Sequence, residues 1–126
     1  MLGEKAAPAE TALRQKLDDP SGAVQVAAVE ALARQGKVAI ALPVLERWLA
    51  RDDGPWFGLQ AANVLDRLGE SARPALGAMR ERLQRVAGAD GLSDPMQYQR
   101  RILEHAIAVL EGKAEALVYP TIRQSR

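Results

Sequence analysis

The sequence predicts an all-α fold: an antiparallel helix-pair solenoid of about three repeats, wound as a right-handed superhelix. Three observations carry that expectation. Residues 24–36 lie over residues 57–69 at a constant offset of 33, with Val26/Leu59, Ala28/Ala61, Leu32/Leu65, Arg34/Arg67 and Gly36/Gly69 matching in type or identity. A helical unit recurring at that period buries its apolar face only against its neighbours, which is the signature of a solenoid. The chain is also punctuated by Asp-Pro or Asp-Gly-Pro starts and by Gly36, Gly69 and Gly112 stops. Finally, 48% of residues are hydrophobic but only 4% aromatic, so the core must be built from Ala, Leu, Val and Ile, whose small size suits closely stacked helices.

Six helical segments follow. The first runs from Pro8 to about Asp18, with Leu13 and Leu17 at i, i+4. Asp19-Pro20 reads as an N-cap acceptor followed by proline at the first helical position, where no orphan N–H is lost. The helix it opens continues to Gln35, with Val24, Ala28, Ala31, Leu32 and Gln35 along one face, and Gly36 supplies a left-handed stop. Residues 38–51 form the third helix, with Val38, Ala41, Leu42, Leu45, Trp48 and Leu49 at helical spacing and Pro43 as a built-in kink. Asp53-Gly54-Pro55 opens the fourth, which ends at Leu68 before Gly69. Ser71 can cap the fifth, where Pro74 stands as Pro43 does in the third; it ends near Val86. Residues 87–93 read as the longest internal loop. Asp94-Pro95 opens the last helix, apolar nearly all round through Ile102, Leu103, Ala106, Ile107, Val109 and Leu110, which argues for burial on two sides. The expected organisation is one domain over 1–126, with helix pairs at 8–35, 37–68 and 71–111. The tail 112–126 offers Leu117, Val118, Tyr119 and Ile122 for docking, with Pro120 as a breaker.

Bulk properties bound the function. Seventeen basic and sixteen acidic residues give a formal charge of +1, too balanced for a whole-molecule field that draws in nucleic acid or anionic membrane. Thirteen of the basic residues are Arg, which favours planar ion pairs with carboxylates. With no cysteine there is no disulfide, thiolate nucleophile or Cys-ligated metal. No apolar run is long enough to span a membrane, and residues 1–5 lack the pattern of a signal peptide. The expected localisation is cytoplasmic if the chain is full length, and open if it is a fragment of an exported enzyme.

Over residues 13–110 the pattern resembles HEAT-like repeats: a first helix bent at an internal proline, an acidic turn, then a second helix with Ala-Ala and a terminal glycine. More narrowly, three stretches are similar to the C-terminal helical segment of some bacterial sulfatase-family proteins: residues 55–69, 72–76 and 98–106. HEAT-like repeats often carry Arg early in the second helix, paired with the turn aspartate of a neighbour. Gln25 and Gly58 stand at those places here, and only Arg100 or Arg101 keeps the type. A sulfatase needs an oxidisable Cys or Ser in a Cys/Ser-x-Pro-x-Arg motif and an Asp, Asn and His cluster around calcium. Neither is present, so the resemblance implies an appended, non-catalytic domain.

Candidate chemistry is sparse. His105, the only histidine, has no second His or Cys to make a metal site or triad with. Asp18-Asp19 and Asp52-Asp53 lack the alternating donors of a calcium loop, and helix capping accounts for both pairs. Arg80, Arg82, Arg85, Arg100 and Arg101 give the third pair a basic cast, but residues 80 and 82 point about 200° apart on a helix. Trp48 falls on a core face, as does Phe57, which aligns with Val24. Trp56 is a candidate exposed aromatic anchor. The resemblance implies that second helices line a concave binding surface. Residues off their core stripe would then meet a partner: Gln25, Glu30, Gln60, Asn63, Arg67 and Arg100, with Trp56. Polar, neutral side chains lead that set and point to a protein partner or a parent catalytic domain. No cofactor or metal site is expected. Nucleic-acid binding through the Arg-bearing third pair is the alternative. An uncapped solenoid end at Leu13/Leu17 or along the last helix leaves a homodimer open.

Overall fold

The computed structural model describes residues 2–51, 55–88 and 94–116, with side chains from residue 9 onward, and every regular element among them is a helix. The helices are α1 (Leu2–Lys16), α2 (Gly22–Arg34), α3 (Val38–Ala50), α4 (Pro55–Leu68), α5 (Leu76–Ala87) and α6 (Asp94–Leu110). A 3-10 segment, Gly69–Ala75, joins α4 to α5. Each odd-numbered helix packs on the even-numbered helix that follows it. Neighbouring units then stack α2 on α4, α4 on α6 and α3 on α5. This arrangement is a helical-repeat solenoid, the fold class read from the 33-residue period.

Small side chains make the stacking close. Ala28, Ala41, Ala61, Ala62, Ala72 and Ala75 are almost wholly buried between helices. Leu32, Leu45, Leu49, Leu65, Met79 and Leu103 fill the remaining volume and are inaccessible to solvent. Leu13 and Leu17 of the first unit are half-buried against this core. Trp48 is buried and meets Phe57 at 5.0 Å between ring centroids.

The turns show why the helices stop. Gly36 (φ 78°) lets its own N–H reach the Ala33 carbonyl and the Lys37 N–H reach that of Leu32. Gly112 (φ 77°) does the same with Val109 and, through Lys113, Ala108. Both are paired-bond glycine stops that satisfy the last orphan carbonyls.

Several boundaries differ from the sequence expectation. The first helix begins at Leu2, upstream of Pro8. Helix α2 is capped by Ser21, whose Oγ accepts from the Val24 N–H at 3.4 Å, rather than by Asp19. Asp19 acts one step earlier, accepting the Ser21 N–H at 2.8 Å. Ser71 caps nothing: it lies inside the 3-10 segment, and α5 starts at Leu76 with no side-chain cap. Pro43 sits within α3, whereas Pro74 sits in the 3-10 segment, so the two prolines are not structurally equivalent. Asp52, Asp53 and Gly54, most of the 87–93 loop, and Leu117, Val118, Tyr119, Pro120 and Ile122 lie outside the described residues.

Candidate functional site

On α4, Trp56, Gln60, Asn63 and Arg67 recur at i, i+4, i+7 and i+11 and therefore share one face, opposite the buried Ala61, Ala62 and Leu65 stripe. Gln60 and Asn63 are half-buried; Arg67 is exposed and has a partner of its own. Trp56 is 43% exposed, yet it is not loosely hung. Its ring meets Phe57 edge-on at 4.8 Å, and a Cβ added at Gly22 would lie 3.0 Å from it. The indole thus lies over the start of α2 and bridges two repeats while presenting its outer side. Phe57, half-buried, is held between both tryptophans, with the Arg51 guanidinium 4.1 Å from its centroid. Glu30 on α2 stands 33 residues before Asn63, in the same position of the repeat, and is half-buried.

Two of the residues named from sequence do not join this row. Gln25 turns back into its own turn, where Nε2 donates to the Asp19 carbonyl at 2.6 Å. There it lines a groove of about 480 Å³ with Leu17, Val44, Arg47, Trp48, Ala50 and Arg51, away from the Trp56–Arg67 row. Arg100 points toward Glu104, its ion-pair partner at 3.5 Å.

The arginines of the third pair do not form a basic surface. Arg82 is buried, donating from Nε to Gln99 Oε1 at 3.0 Å and from Nη1 to the Arg51 carbonyl at 2.9 Å. Arg85 donates to the Leu49 carbonyl at 2.7 Å, so both cap the C-terminal end of α3, where a cation complements the helix dipole. Arg80 pairs with Glu111 at 2.9 Å, and the Arg101 guanidinium lies 5.8 Å from the Tyr98 ring centroid. Arg73 joins Glu70 and also donates to the Leu110 carbonyl at 2.9 Å, closing α6. The hydrogen bond and charge of Arg73 lower the Glu70 pKa, and those of Glu70 raise that of Arg73. Glu111 is likewise lowered, first by its hydrogen bond from Arg80 and then by Lys113.

The buried Arg82–Gln99 pair was not anticipated, although Gly58 hinted at it. A Cβ on Gly58 would lie 2.7 Å from Gln99 Oε1 and 3.1 Å from Arg82 Nη2. The place where a HEAT-like repeat often carries its own Arg is therefore vacated for one arriving from α5. Gln99, wholly buried, completes the link by donating from Nε2 to the Pro55 carbonyl at 2.8 Å. His105 also has partners invisible to a scan of local sequence. Nδ1 lies 2.6 Å from Asp66 Oδ1 and Nε2 3.0 Å from the Glu115 carbonyl.

No group of three or more His, Cys, Asp or Glu residues able to hold a metal occurs among the described residues. None of their helices is long and apolar enough to cross a membrane. A family model described as HEAT repeats matches residues 10–89. No curated protein and no solved structure matches the chain.

Proposed function

The chain belongs to the HEAT-repeat family, and from that premise we propose that it is a scaffolding domain that binds a protein partner through the α4 row Trp56, Gln60, Asn63 and Arg67, extended by Glu30. HEAT repeats commonly mediate protein–protein interactions and are typically non-catalytic. The observation that carries the reading is the row itself: an anchored but exposed indole beside half-buried neutral amides, on the helix at the centre of the stack. Aromatic anchors of this kind are enriched among residues that dominate binding energy. The amides offer hydrogen bonds without the desolvation cost of a charge.

A photo-crosslinking residue at Asn63 tests this. It is expected to give a discrete adduct in source cells, while the same residue at Gly77, an open position on α5, gives none. Equal labelling from both positions would contradict the assignment.

The resemblance to sulfatase C-terminal segments supports a finer reading, in which the partner is the catalytic domain of a larger parent enzyme. A native gene product several times larger than 13.6 kDa on a blot supports that parent. A band near that mass favours a cytoplasmic, free-standing domain with a partner in trans. The nucleic-acid alternative predicts binding that weakens steeply with salt as counterions are released. It is the weaker reading because Arg80, Arg82, Arg85 and Arg100 already serve carboxylates, an amide and helix carbonyls.

A further inference from the structure

The groove that Gln25 lines is built mainly on α3. Val44, Arg47, Trp48 and Arg51 recur at i, i+3, i+4 and i+7, so the last two turns of α3 and its C-cap present one stripe to it. Val44 and Trp48, with the half-buried Leu17 just beyond α1, give its volume of about 480 Å³ an apolar floor. A second hollow, of about 420 Å³, is lined by Glu81, Gln84 and Arg85 of α5. The exposed Ala50 borders both, so the two adjoin across the end of α3.

The polar groups at this groove are unevenly committed. Arg47 is exposed and makes no hydrogen bond or ion pair among the described residues. Gln25 gives one amide hydrogen to the Asp19 carbonyl at 2.6 Å, and among the described residues its side-chain oxygen accepts nothing. Arg51 is engaged, with its guanidinium 4.1 Å from the Phe57 centroid, a contact that fixes the charge beside the floor. Among the described residues, Arg47, Arg51 and Arg85 line the two hollows against the one acid Glu81. Asp18, Asp19 and Glu46 neighbour lining residues in sequence but line neither hollow, and Asp19 Oδ1 accepts the Ser21 N–H.

We propose that this groove binds an acidic peptide segment of a partner protein, as a second contact separate from the α4 row. An apolar side chain of the segment rests on Leu17, Val44 and Trp48. A neighbouring carboxylate pairs with Arg47, whose planar fork matches two oxygens, and a backbone N–H donates to Gln25 Oε1. Charge complementarity selects an acidic occupant over a basic one. The apolar floor selects a peptide over the phosphate backbone of a nucleic acid, which has no apolar side chain to bury there.

A synthetic peptide of alternating leucine and glutamate is the probe, titrated into the isotope-labelled full chain while the side-chain amide signals of Gln25 and Asn63 are followed by NMR. At millimolar peptide the Gln25 signals are expected to shift, and those of Asn63, on the α4 row, to stay. Arg47→Glu should weaken binding about tenfold, since it replaces an attraction by a repulsion of similar size. Ala50→Glu, at another exposed helix position, should weaken it too, which keeps the test readable if one variant misfolds. Lysine in place of the peptide's glutamates should abolish the shifts. An unmoved Gln25, equal binding of the lysine peptide, or wild-type affinity in both variants would overturn the proposal. So would the same shifts from single-stranded DNA, which would mark a phosphate site. The Asn63 cross-link does not depend on this groove, so either reading can fail while the other stands.

Discussion

Gly58, Arg82 and Gln99 form a unit in which the absence of one side chain makes room for two others. Adding a methyl group at Gly58 would force the Gln99 amide out of a fully buried site. Alanine is the better helix former by about 1 kcal/mol, but overpacking a core costs about 1–3 kcal/mol, so Gly58→Ala is expected to destabilise. The same change should cost less in a Gln99→Ala background, because the closest clash has gone and only the 3.1 Å approach to Arg82 Nη2 is left; a double-mutant cycle by urea unfolding reads that coupling directly. Arg82→Ala is expected to cost about 3 kcal/mol, since it leaves the Gln99 amide and the Arg51 carbonyl short of a donor in a buried place. None of this is legible from residue types in order. Gly58 looks like a weak point in a helix until α5 and α6 are placed beside it. The same holds for His105: its partners are 39 and 10 residues away in the chain. What could be read was the reverse inference, that a lone histidine without nearby Cys or His does not build a metal site.

Helix ends carry much of the specificity of this stack. Arg82 and Arg85 of α5 hold the end of α3 in the preceding unit, and Arg73 holds the end of α6 within its own. The helices α2, α3, α4 and α6 were legible to within a few residues because apolar periodicity and glycine stops are local signals, whereas the starts of α1 and α5 were not. The capping assignments were less so: Asp19 and Ser21 are both competent caps two residues apart, and only the backbone path decides between them. Ser21→Ala should lower stability by about 1 kcal/mol, as expected for loss of an N-cap. The closing contacts also set an acid limit. Glu70 and Glu111 have folded pKa values below the ordinary 4.5, held down chiefly by hydrogen bonds from Arg73 and Arg80. A depressed carboxylate stabilises the fold above its unfolded pKa, and that contribution is lost as pH falls through the folded value. The Tm is therefore expected to decline as pH drops below about 4.5, and Glu70→Gln with Glu111→Gln should make the decline shallower. An unchanged slope in the double variant would show that these exposed pairs contribute nothing measurable.

In a stack of three helix pairs, the central helix α4 brings Trp56, Gln60, Asn63 and Arg67 into one row, the surface that the proposed function assigns to a partner. The repeat period made the fold class legible, because 33-residue self-similarity dictates how one unit must bury its face against the next. It did not reveal which polar residues stay outward. Gln25 obeys the same sequence logic as Gln60 yet is drawn into its turn by the Asp19 carbonyl, and Arg100 is drawn aside by Glu104. The five arginines of the third pair read as a basic cluster along the chain, but Arg82 and Arg85 reach the end of α3, Arg80 pairs with Glu111, and Arg100 and Arg101 stay exposed beside Glu104 and Tyr98 of their own helix. The most direct measurement is the affinity of the Asn63-cross-linked partner for the wild-type chain and for Asn63→Arg, with Tm recorded for both. A loss of about tenfold or more at unchanged Tm, with Gly77→Arg binding as the wild type does, is the result expected if the α4 row is the interface. Wild-type affinity in the Asn63 variant would contradict that placement.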